Sequence, residues 1–495
     1  MPRRASLAWL AVLGGWLAFA APALRADVTL PKIIGDNMVL QRGGPVPIWG
    51  QASPGEAVTV LFAGQQKRAV TDPTGHWQVM LDALPASAEP RDMTITGNNS
   101  LQLKNILVGE VWLCGGQSNM EYAVNRSTAG APAATSSDAL LAQEIEHPDY
   151  PDIRLFRVEK KVQPPDVVSS GWTACSGDAL DIFSAIGFFF ARDIQRVLGV
   201  PVGVIQSAWG GSRIEPWTPA DAYAPLPAFH AETEKAAGAP PKIDGVTPGN
   251  YFNAMVRPLA PFALRGVLWY QGESNIIATN DGVRYADKMQ ALVDSWRKIW
   301  AKNDLPFYSV QLAPYLYTRR KDPQPHGPDE LPKLWEAQFL TLRLPHTAMV
   351  PTIDLDSNFG NIHPNGKRVV GQRLADLVLA DTYGDKNILY PGPVFANLTI
   401  TGNTAIVHFD GGVLASRDQK PLTEFEIAGA DGQFVTATAV IKDDTVVVSS
   451  TQVAAPVAVR FAWRETAQPN LINKDGLPAY PFRTNGPDWH PAVTN

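Results

Sequence analysis

The sequence is poor in the features that mark several common classes of protein. Only two of its 495 residues are cysteine, too few for a disulfide scaffold or a thiolate-rich metal site. Acidic residues outnumber basic ones, 48 to 42, and a net charge of −6 offers no basic field to attract nucleic acid. The chain has no H-E-x-x-H, paired C-x-x-C or phosphate-loop motif, so we expect neither a metal nor a cofactor.

Residues 1–26 have the pattern of a signal peptide. Two arginines near the start precede an apolar run from Leu7 to Phe19, and small residues follow. We expect cleavage near Ala23 or after Ala26 and a periplasmic or secreted protein, with an uncleaved anchor as the alternative. No later apolar stretch is long enough to span a bilayer, so we expect no membrane contact after cleavage. Export permits the two cysteines to pair, but a buried free thiol is an equal alternative.

The rest of the chain changes character twice. Residues 27–105 alternate short apolar segments with turns that contain Pro and Gly, which is typical of an antiparallel β domain. Residues 106–387 alternate strand-like runs with helical periodicity, which predicts an α/β domain with a mainly parallel sheet covered on both faces. Residues 388–495 return to short strands and predict a second β domain. Three domains fit the length of the chain.

Polar loops follow the predicted strands of the α/β part. The strand candidates are Ile106–Cys114, Val202–Ser207, Gly266–Tyr270, Phe307–Leu312 and Thr347–Leu355. Helical periodicity covers residues 183–198 and 285–300. Functional sites form at the carboxyl ends of the strands in such sheets. The loops found there are Gly115–Met120, Trp209–Glu215, Gln271–Asn275 and Asp354–Pro364.

Ser118 and His363 are the candidates for nucleophile and base. A serine hydroxyl needs an adjacent base to attack an acyl carbon, and His363 is the histidine that lies in a polar loop after a predicted core strand. Met120 stands where the G-x-S-x-G pattern needs glycine, which argues against an ordinary α/β-hydrolase. Ser118 could also be a helix N-cap, with Glu121 completing a capping box.

The other loops offer donors for a negatively charged oxygen. Gly210 and Gly211 can bring backbone N–H groups close to a developing oxyanion, although they also fit a plain turn. Gln271 or Asn275 could add a side-chain donor. These four residues are therefore candidates for an oxyanion hole.

Two carboxylates and several aromatic residues permit a different interpretation. Glu215 and Glu273 follow predicted strands and could be the acid and base of a glycosidase. Aromatic rings beside them could stack on a sugar, although at least half should pack in the core. The rings in question belong to Trp209, Trp217, Trp269 and Tyr270.

Several blocks together resemble the SGNH hydrolase superfamily, and within it the bacterial sialate O-acetylesterase-like proteins. These blocks are Asp36–Arg42, Gly109–Met120, Trp209–Ser212, Tyr270–Asn275, Ile362–Pro364 and Pro481–Arg483. The resemblance implies a flavodoxin-like, three-layer α/β/α domain of SGNH type with a mainly parallel sheet, flanked by N- and C-terminal β-sandwich-like domains. It also implies an exported serine esterase that removes O-acetyl groups from sugars without a metal.

The resemblance assigns roles by motif position. Ser118 becomes the nucleophile and His363 the general base. The oxyanion hole would use the Ser118 N–H, a glycine at 210 or 211, and a polar side chain of the block Tyr270–Asn275. Gln271, Ser274 and Asn275 compete for that last place, with Gln271 favoured and Asn275 next. The expected substrate contacts come from Gln117, Trp209, Glu215 and Glu273.

One departure from the superfamily concerns the third member of the triad. An Asp often stands three residues before the catalytic histidine, but this position is Gly360. Asp356 is the candidate, Asp354 is an alternative, and a backbone carbonyl could also orient the imidazole. A Ser–His dyad is the remaining possibility.

Several functions stay open at this point. The resemblance favours acetylated sialic acid as the substrate, while acetylated xylan, pectin or another plant glycan is the first alternative. A glycoside hydrolase and a non-catalytic glycan-binding protein are the other two. The expected partner in each case is a carbohydrate, and the sequence predicts no oligomeric state.

Overall fold

The computed structural model describes residues 27–128, 150–235, 239–323, 325–388 and 390–487. The predicted signal peptide lies outside these ranges. Within them, no helix combines the length and the apolar character that crossing a membrane requires. Both cysteines are buried free thiols, so the pairing that export would permit does not form.

The N-terminal region is built from short strands in which apolar and polar residues alternate. In β3 and β5 the buried residues occupy every second position, as expected when only one face of a sheet packs on a core. Apart from the parallel pair of β1 with the following long strand, β7 (Ser100–Gly116), the pairings here are antiparallel. The strands are β1 (Val39–Gln41), β2 (Val46–Gln51), β3 (Ala57–Phe62), β4 (Gln65–Val70), β5 (His76–Leu81) and β6 (Ser87–Thr96).

One long strand, β7 (Ser100–Gly116), belongs to both the N-terminal region and the α/β part. Its first half pairs antiparallel with β6, and its second half lies between two parallel neighbours. Exposure alternates up to Asn105, and every residue from Ile106 to Gly116 is buried. The change from an alternating to a continuous apolar sequence therefore marks where the strand enters a covered sheet. No linker separates the predicted domains at residue 105.

The central sheet has the strand order β13-β12-β11-β7-β10-β8-β9. All neighbours along this path are parallel except β9, which is antiparallel to β8. The remaining strands of the sheet are β8 (Ile153–Arg157), β9 (Trp172–Ala174), β10 (Val202–Ala208), β11 (Gly266–Tyr270), β12 (Phe307–Val310) and β13 (Thr347–Val350).

Helices alternate with these strands, as the periodicity predicts. Two long ones, α4 (Ala185–Leu198) and α7 (Tyr285–Ile299), cover the predicted helical segments. The buried residues of α7 recur at helical spacing, whereas residues 185–192 of α4 are buried without a break. In chain order the helices are α1 (Ser118–Glu121), α2 (Val124–Thr128), α3 (Gly177–Asp181), α4 (Ala185–Leu198), α5 (His230–Glu234), α6 (Glu273–Thr279), α7 (Tyr285–Ile299), α8 (Glu330–Leu340) and α9 (Lys367–Asp381).

The α/β class and the mainly parallel sheet are confirmed, with corrections at the edges. β12 ends at Val310 and β13 at Val350, so both strands are shorter than predicted. The sequence analysis missed β8, in which Arg154 and Arg157 interrupt the apolar run that marks the other buried strands. The three-layer SGNH arrangement stays a prediction.

The C-terminal region is antiparallel throughout its described pairings. This confirms the predicted return to β structure, while the sandwich arrangement stays a prediction. Its strands are β14 (Val394–Thr401), β15 (Thr404–Asp410), β16 (Leu414–Ser416), β17 (Phe425–Ala428), β18 (Phe434–Thr436), β19 (Thr438–Lys442), β20 (Thr445–Ser449), β21 (Ala458–Phe461), β22 (Leu471–Asn473) and β23 (Phe482–Arg483).

Candidate active site

The turn after β7 presents Ser118 at the carboxyl end of the central strand. Gly116 has φ of +133°, and a Cβ added there would lie 2.1 Å from the carbonyl oxygen of Tyr270. Only glycine fits this close approach, and the chain then turns sharply into α1. Gln117 is the N-cap residue and Ser118 is the first helical residue, so the expected capping box of Ser118 and Glu121 is wrong.

The loop after β13 brings His363 to the serine. His363 Nε2 lies 2.8 Å from Ser118 Oγ, although 245 residues separate the two along the chain. The predicted encounter of these two side chains is therefore confirmed. Burial lowers the pKa of His363, and the charges of Lys367 and Arg126 lower it further. The neutral imidazole, which can accept a proton, is favoured.

The expected carboxylate partner of the imidazole is not in place. Asp356 accepts hydrogen bonds from the backbone N–H groups of Asn358 and Asn365, at 2.8 and 2.9 Å. Asp354 is held by both terminal nitrogens of Arg373. Across the described ranges, no carboxylate contacts the His363 ring. The assignment of Asp356 as third member therefore lacks geometric support, because the loop uses this carboxylate to fix its own backbone.

The glycine loop after β10 lies against Ser118. A Cβ added to Gly210 would be 3.2 Å from Ser118 Cβ, so a side chain here would crowd the nucleophile. The Gly210 N–H donates to Glu121 Oε2 at 2.6 Å, and Lys160 lies 2.7 Å from the other oxygen of this carboxylate. The predicted oxyanion donor at Gly210 is thus beside the serine but already bonded in this structure. Gly211 has φ of +75° at the turn.

Gln271 and Asn275 lie below the site rather than in it. Both are fully buried. Gln271 Nε2 donates to Gln117 Oε1 and Asn275 Oδ1, while Asn275 Nδ2 donates to Asp281 and contacts Glu215. Their N–H groups are therefore occupied within the buried network, and the prediction of an oxyanion donor from either residue lacks geometric support. Which polar groups of a loop pair with each other depends on tertiary contacts that the sequence does not specify.

Three of the four predicted substrate contacts are buried. Gln117 is 3% exposed, and its Oε1 accepts hydrogen bonds from Gln271 Nε2 and the Ser274 N–H. Glu215 and Glu273 are likewise buried in polar networks, so neither is placed as a sugar contact or a glycosidase carboxylate. Trp209 is half-buried and stacks on Tyr251, with ring centroids 4.6 Å apart. The remaining stacking candidates are core residues: Trp217, Trp269 and Tyr270.

Three carboxylates beneath the site have the spacing of metal ligands, but a lysine fills the space between them. Oxygens of Glu215, Asp244 and Asp281 lie within 4.8 Å of one another. Lys288 Nζ is 2.6, 2.7 and 2.6 Å from an oxygen of each, respectively. Arg213 also pairs with Glu215 at 2.5 Å. The Lys288 ammonium group supplies the positive charge that a metal ion would otherwise provide.

A second buried network was missed by the sequence analysis. Asn119 Nδ2 donates to Glu273 Oε1 at 2.5 Å, and Lys367 Nζ donates to Asn119 Oδ1 at 2.9 Å. Burial raises the pKa of Glu273 and lowers the pKa of Lys367 to about 7. Lys367 begins α9 on the face that continues with Val370 and Leu374, both buried. A lysine in an apolar helical stripe was the available signal.

Ser118 and His363 open into a cavity of about 500 Å³. Its wall carries three basic side chains and one acidic side chain, which are Arg126, Arg157, Lys160 and Glu121. A nucleophile, a base and a cavity of this kind can carry out acyl transfer. The basic residues add a preference for negatively charged ligands.

Comparison with known proteins agrees with this chemistry. The family model for carbohydrate esterases described as sialic acid-specific acetylesterases matches residues 108–380. A sialate O-acetylesterase from Homo sapiens is 30% identical over 421 residues, covering 76% of this chain and 75% of that protein. One from Pongo abelii is 29% identical, covering 91% of each.

A solved structure extends the match to the whole fold. The crystal structure of a carbohydrate acetylesterase from Xanthomonas citri is 37% identical, with a TM-score of 0.80. The match covers 93% of this chain and 100% of that one. Taken with the contact between serine and histidine, these similarities show that the chain belongs to the family of sialic acid-specific carbohydrate acetylesterases and is a carboxylic ester hydrolase.

Proposed function

We propose that this protein removes O-acetyl groups from carbohydrates through an acetyl-enzyme on Ser118. The observation that carries the proposal is the 2.8 Å contact between His363 Nε2 and Ser118 Oγ at the cavity floor. Ser118 Oγ attacks the acetyl carbonyl carbon while His363 takes the hydroxyl proton. The tetrahedral intermediate collapses, His363 gives the proton to the sugar oxygen, and water then releases acetate by the same two steps.

The oxyanion hole is proposed to use backbone groups. The Ser118 N–H lies at the start of α1, where helical N–H groups lack partners within the helix. Gly210 supplies the second donor when the acetyl oxygen replaces Glu121 Oε2 on its N–H. Lys160 is placed to hold the displaced carboxylate. This scheme needs no side chain from Tyr270–Asn275. The N–H of Gly211 is the alternative second donor.

Acetylated sialic acid is the proposed substrate. Three basic residues and one acidic residue line the cavity, which suits a sugar that carries a carboxylate. The human and orangutan relatives, both sialate O-acetylesterases, point to the same sugar. The relative from Xanthomonas citri is described only as a carbohydrate acetylesterase, which leaves the substrate open to other acetylated carbohydrates, and acetylated xylan is the second candidate.

Acetate release by purified protein tests the proposal. O-acetylated sialic acid and acetylated xylan are offered in parallel, with Ser118→Ala as the control. We expect release from sialic acid, and we expect the variant to lose about 10⁴-fold or more of the activity, as for other serine nucleophiles. Acetate release from xylan alone would mean that xylan rather than sialic acid is the substrate, and it would leave the proposed mechanism unchanged. Full activity in Ser118→Ala would refute the mechanism.

The same experiment separates the other functions. A glycoside hydrolase would release reducing sugar rather than acetate and would depend on Glu273, which Glu273→Gln tests directly. A glycan-binding protein without catalysis would retain affinity for the glycan and release no acetate. The burial of Glu215 and Glu273 weighs against the first of these alternatives.

We further propose that the protein is exported to the periplasm or beyond. The charge and hydropathy pattern of residues 1–26 is the support. N-terminal sequencing of protein recovered from the periplasmic fraction should begin near residue 24 or at Asp27. Recovery of the uncleaved chain in the membrane fraction would instead indicate an anchor.

A further inference from the structure

The loop that carries His363 is held through its backbone on both sides of this residue. Asn119 Nδ2 donates to the carbonyl oxygen of Ile362 at 3.1 Å, on one side of His363. Lys367 Nζ donates to the carbonyl oxygen of Pro364 at 2.6 Å, on the other side. Asn361 holds His363 itself, because its Oδ1 accepts from the His363 N–H and its Nδ2 donates to the His363 carbonyl oxygen. The backbone that carries the imidazole is therefore fixed by neighbouring side chains, and no carboxylate of the described chain forms a hydrogen bond or ion pair with the ring.

The two side chains that make these bonds also hold each other. Lys367 Nζ donates to Asn119 Oδ1, and Asn119 follows Ser118 directly in the sequence. Glu273 accepts from Asn119 on the opposite side. One buried chain of Glu273, Asn119 and Lys367 thus connects the helix of the nucleophile to the loop of the base. A shift in any of the three would change the distance between Ser118 and His363.

We propose that Lys367, supported by Asn119 and Glu273, is the positioning residue that fixes His363 where other members of the superfamily use a triad carboxylate. The inference rests on the proposed function, because it concerns the base of that reaction. Lys367 acts through His363 and does not line the cavity. It is a positioning residue rather than a catalytic one.

A cation in this place has an electrostatic effect opposite to that of an aspartate. A carboxylate beside an imidazole raises its pKa, whereas a nearby ammonium group disfavours the second positive charge and lowers it. The groups facing Lys367 are Glu273, Asp356, His363 and the Tyr122 ring, whose centroid is 5.0 Å from Nζ. Arg126 adds a second positive charge near His363.

The consequence is a base that stays neutral in mild acid. Lys367 has a pKa of about 7, because burial lowers it and the two carboxylates only partly oppose this. The ammonium form is therefore the main one in the acidic range where His363 titrates. Neutral imidazole persists to lower pH than it would beside an aspartate, and the acid limb of the activity profile should lie correspondingly low.

The test is the pH dependence of kcat/KM for acetate release, with two substitutions at one position. Lys367→Met removes both the hydrogen bonds and the charge. Lys367→Gln removes the charge and keeps a donor for Asn119 or Pro364. We expect the acid limb to move to higher pH in both variants, since His363 then loses its cationic neighbour.

The size of the rate loss separates the two contributions. We expect kcat to fall roughly 10-fold to 100-fold in Lys367→Met, short of the loss of a general base itself, with KM little changed. Lys367→Gln should lose less. Lys288→Met controls for the removal of a buried lysine, because Lys288 belongs to the same α/β part but lies in a separate cluster; it is assayed at a temperature at which circular dichroism shows it to be folded. Its acid limb should coincide with that of the wild type.

A direct titration of His363 by NMR completes the test. The Ser118→Ala protein and its Lys367→Gln derivative are compared, and the imidazole pKa should be higher in the derivative. An unchanged pKa together with an unchanged acid limb would overturn the proposal. This titration needs no activity and no Lys367→Met protein, so it decides the matter even if that variant does not fold. Absence of acetate release from the wild type would count against the proposed function alone.

Discussion

Two buried lysines, Lys288 and Lys367, lie in the same α/β part and have opposite surroundings. Lys288 is 0% exposed and contacts three carboxylates within 2.7 Å. Lys367 is 4% exposed and donates to neutral oxygens of Asn119 and Pro364. The same side chain is therefore fully neutralised in one cluster and left without a direct ion pair among the described residues in the other.

The difference separates a structural charge from an adjustable one. Burial by itself would lower the pKa of Lys288, but Asp281, Glu215 and Asp244 together raise it. Burial of Lys367 is opposed only by more distant carboxylates, and its pKa falls to about 7. A permanent cation holds loops together, whereas a group that titrates near neutrality lies beside the reacting residues, where perturbed pKa values concentrate.

The largest expected effect concerns the neutralised lysine. Lys288→Met would leave the Asp281 carboxylate buried without a cation, because Arg213 pairs with Glu215 only. We expect the free energy of unfolding to fall by about 3–5 kcal/mol. Urea denaturation measures this quantity. A loss below about 1 kcal/mol would mean that the cluster relaxes and takes up water.

Lys367→Met should cost less stability than Lys288→Met. It leaves the oxygens of Asn119 and Pro364 unpaired but also removes a poorly compensated buried charge, so we expect a loss of about 2 kcal/mol or less at pH 6. The pH dependence has a definite sign. The pKa of Lys367 is about 7 in the folded protein and 10.5 for an ordinary lysine, which stands for the unfolded chain. Between these two pH values the folded state therefore binds fewer protons than the unfolded state.

Wild-type stability should therefore gain a rising component between about pH 7 and 10.5 that Lys367→Met lacks. Unfolding free energies measured for both proteins across this range test the sign. If the stability advantage of the wild type over Lys367→Met decreased as the pH rises, this would contradict the assignment of a lowered pKa to Lys367. Lys288 has a raised pKa, so its contribution should persist throughout the same range.

The smallest expected effect belongs to a lysine at the surface. Lys160 is 40% exposed on its side chain and pairs with Glu121 at 2.7 Å. Because water and salt screen such a pair, Lys160→Met should change the free energy of unfolding by less than about 1 kcal/mol. The comparison of both proteins at low and high salt is the check. A larger loss would show that Glu121 and the glycine loop depend on this lysine for their position.

The order of elements could be predicted from the sequence, and so could the central pair. Ser118 and His363 follow strands of one parallel sheet, and the carboxyl ends of such strands share an edge. The continuous apolar run from Ile106 indicated the buried half of β7. These inferences use periodicity and strand order alone, which is why they survive without knowledge of side-chain contacts.

The partners of individual polar groups could not be predicted in the same way. Gln271 and Asn275 carry donors that suit an oxyanion, yet each is used by a neighbour in the folded chain. Asp356 is close to His363 in sequence, but the backbone of its own loop takes both oxygens. The residue type determines which hydrogen bonds a side chain can form, and only the tertiary structure determines which partners it binds.

Strand β7 gives the chain a mechanical property that neither sheet would have alone. Its first half is one of the N-terminal strands, its second half is the middle of the central sheet, and Ser118 follows two residues after its end. Fraying of the N-terminal pairing would therefore be transmitted along a single backbone to the nucleophile. We therefore expect the N-terminal strands and the active site to unfold as one cooperative unit, so that a truncation that removes those strands loosens the catalytic serine before the central helices melt.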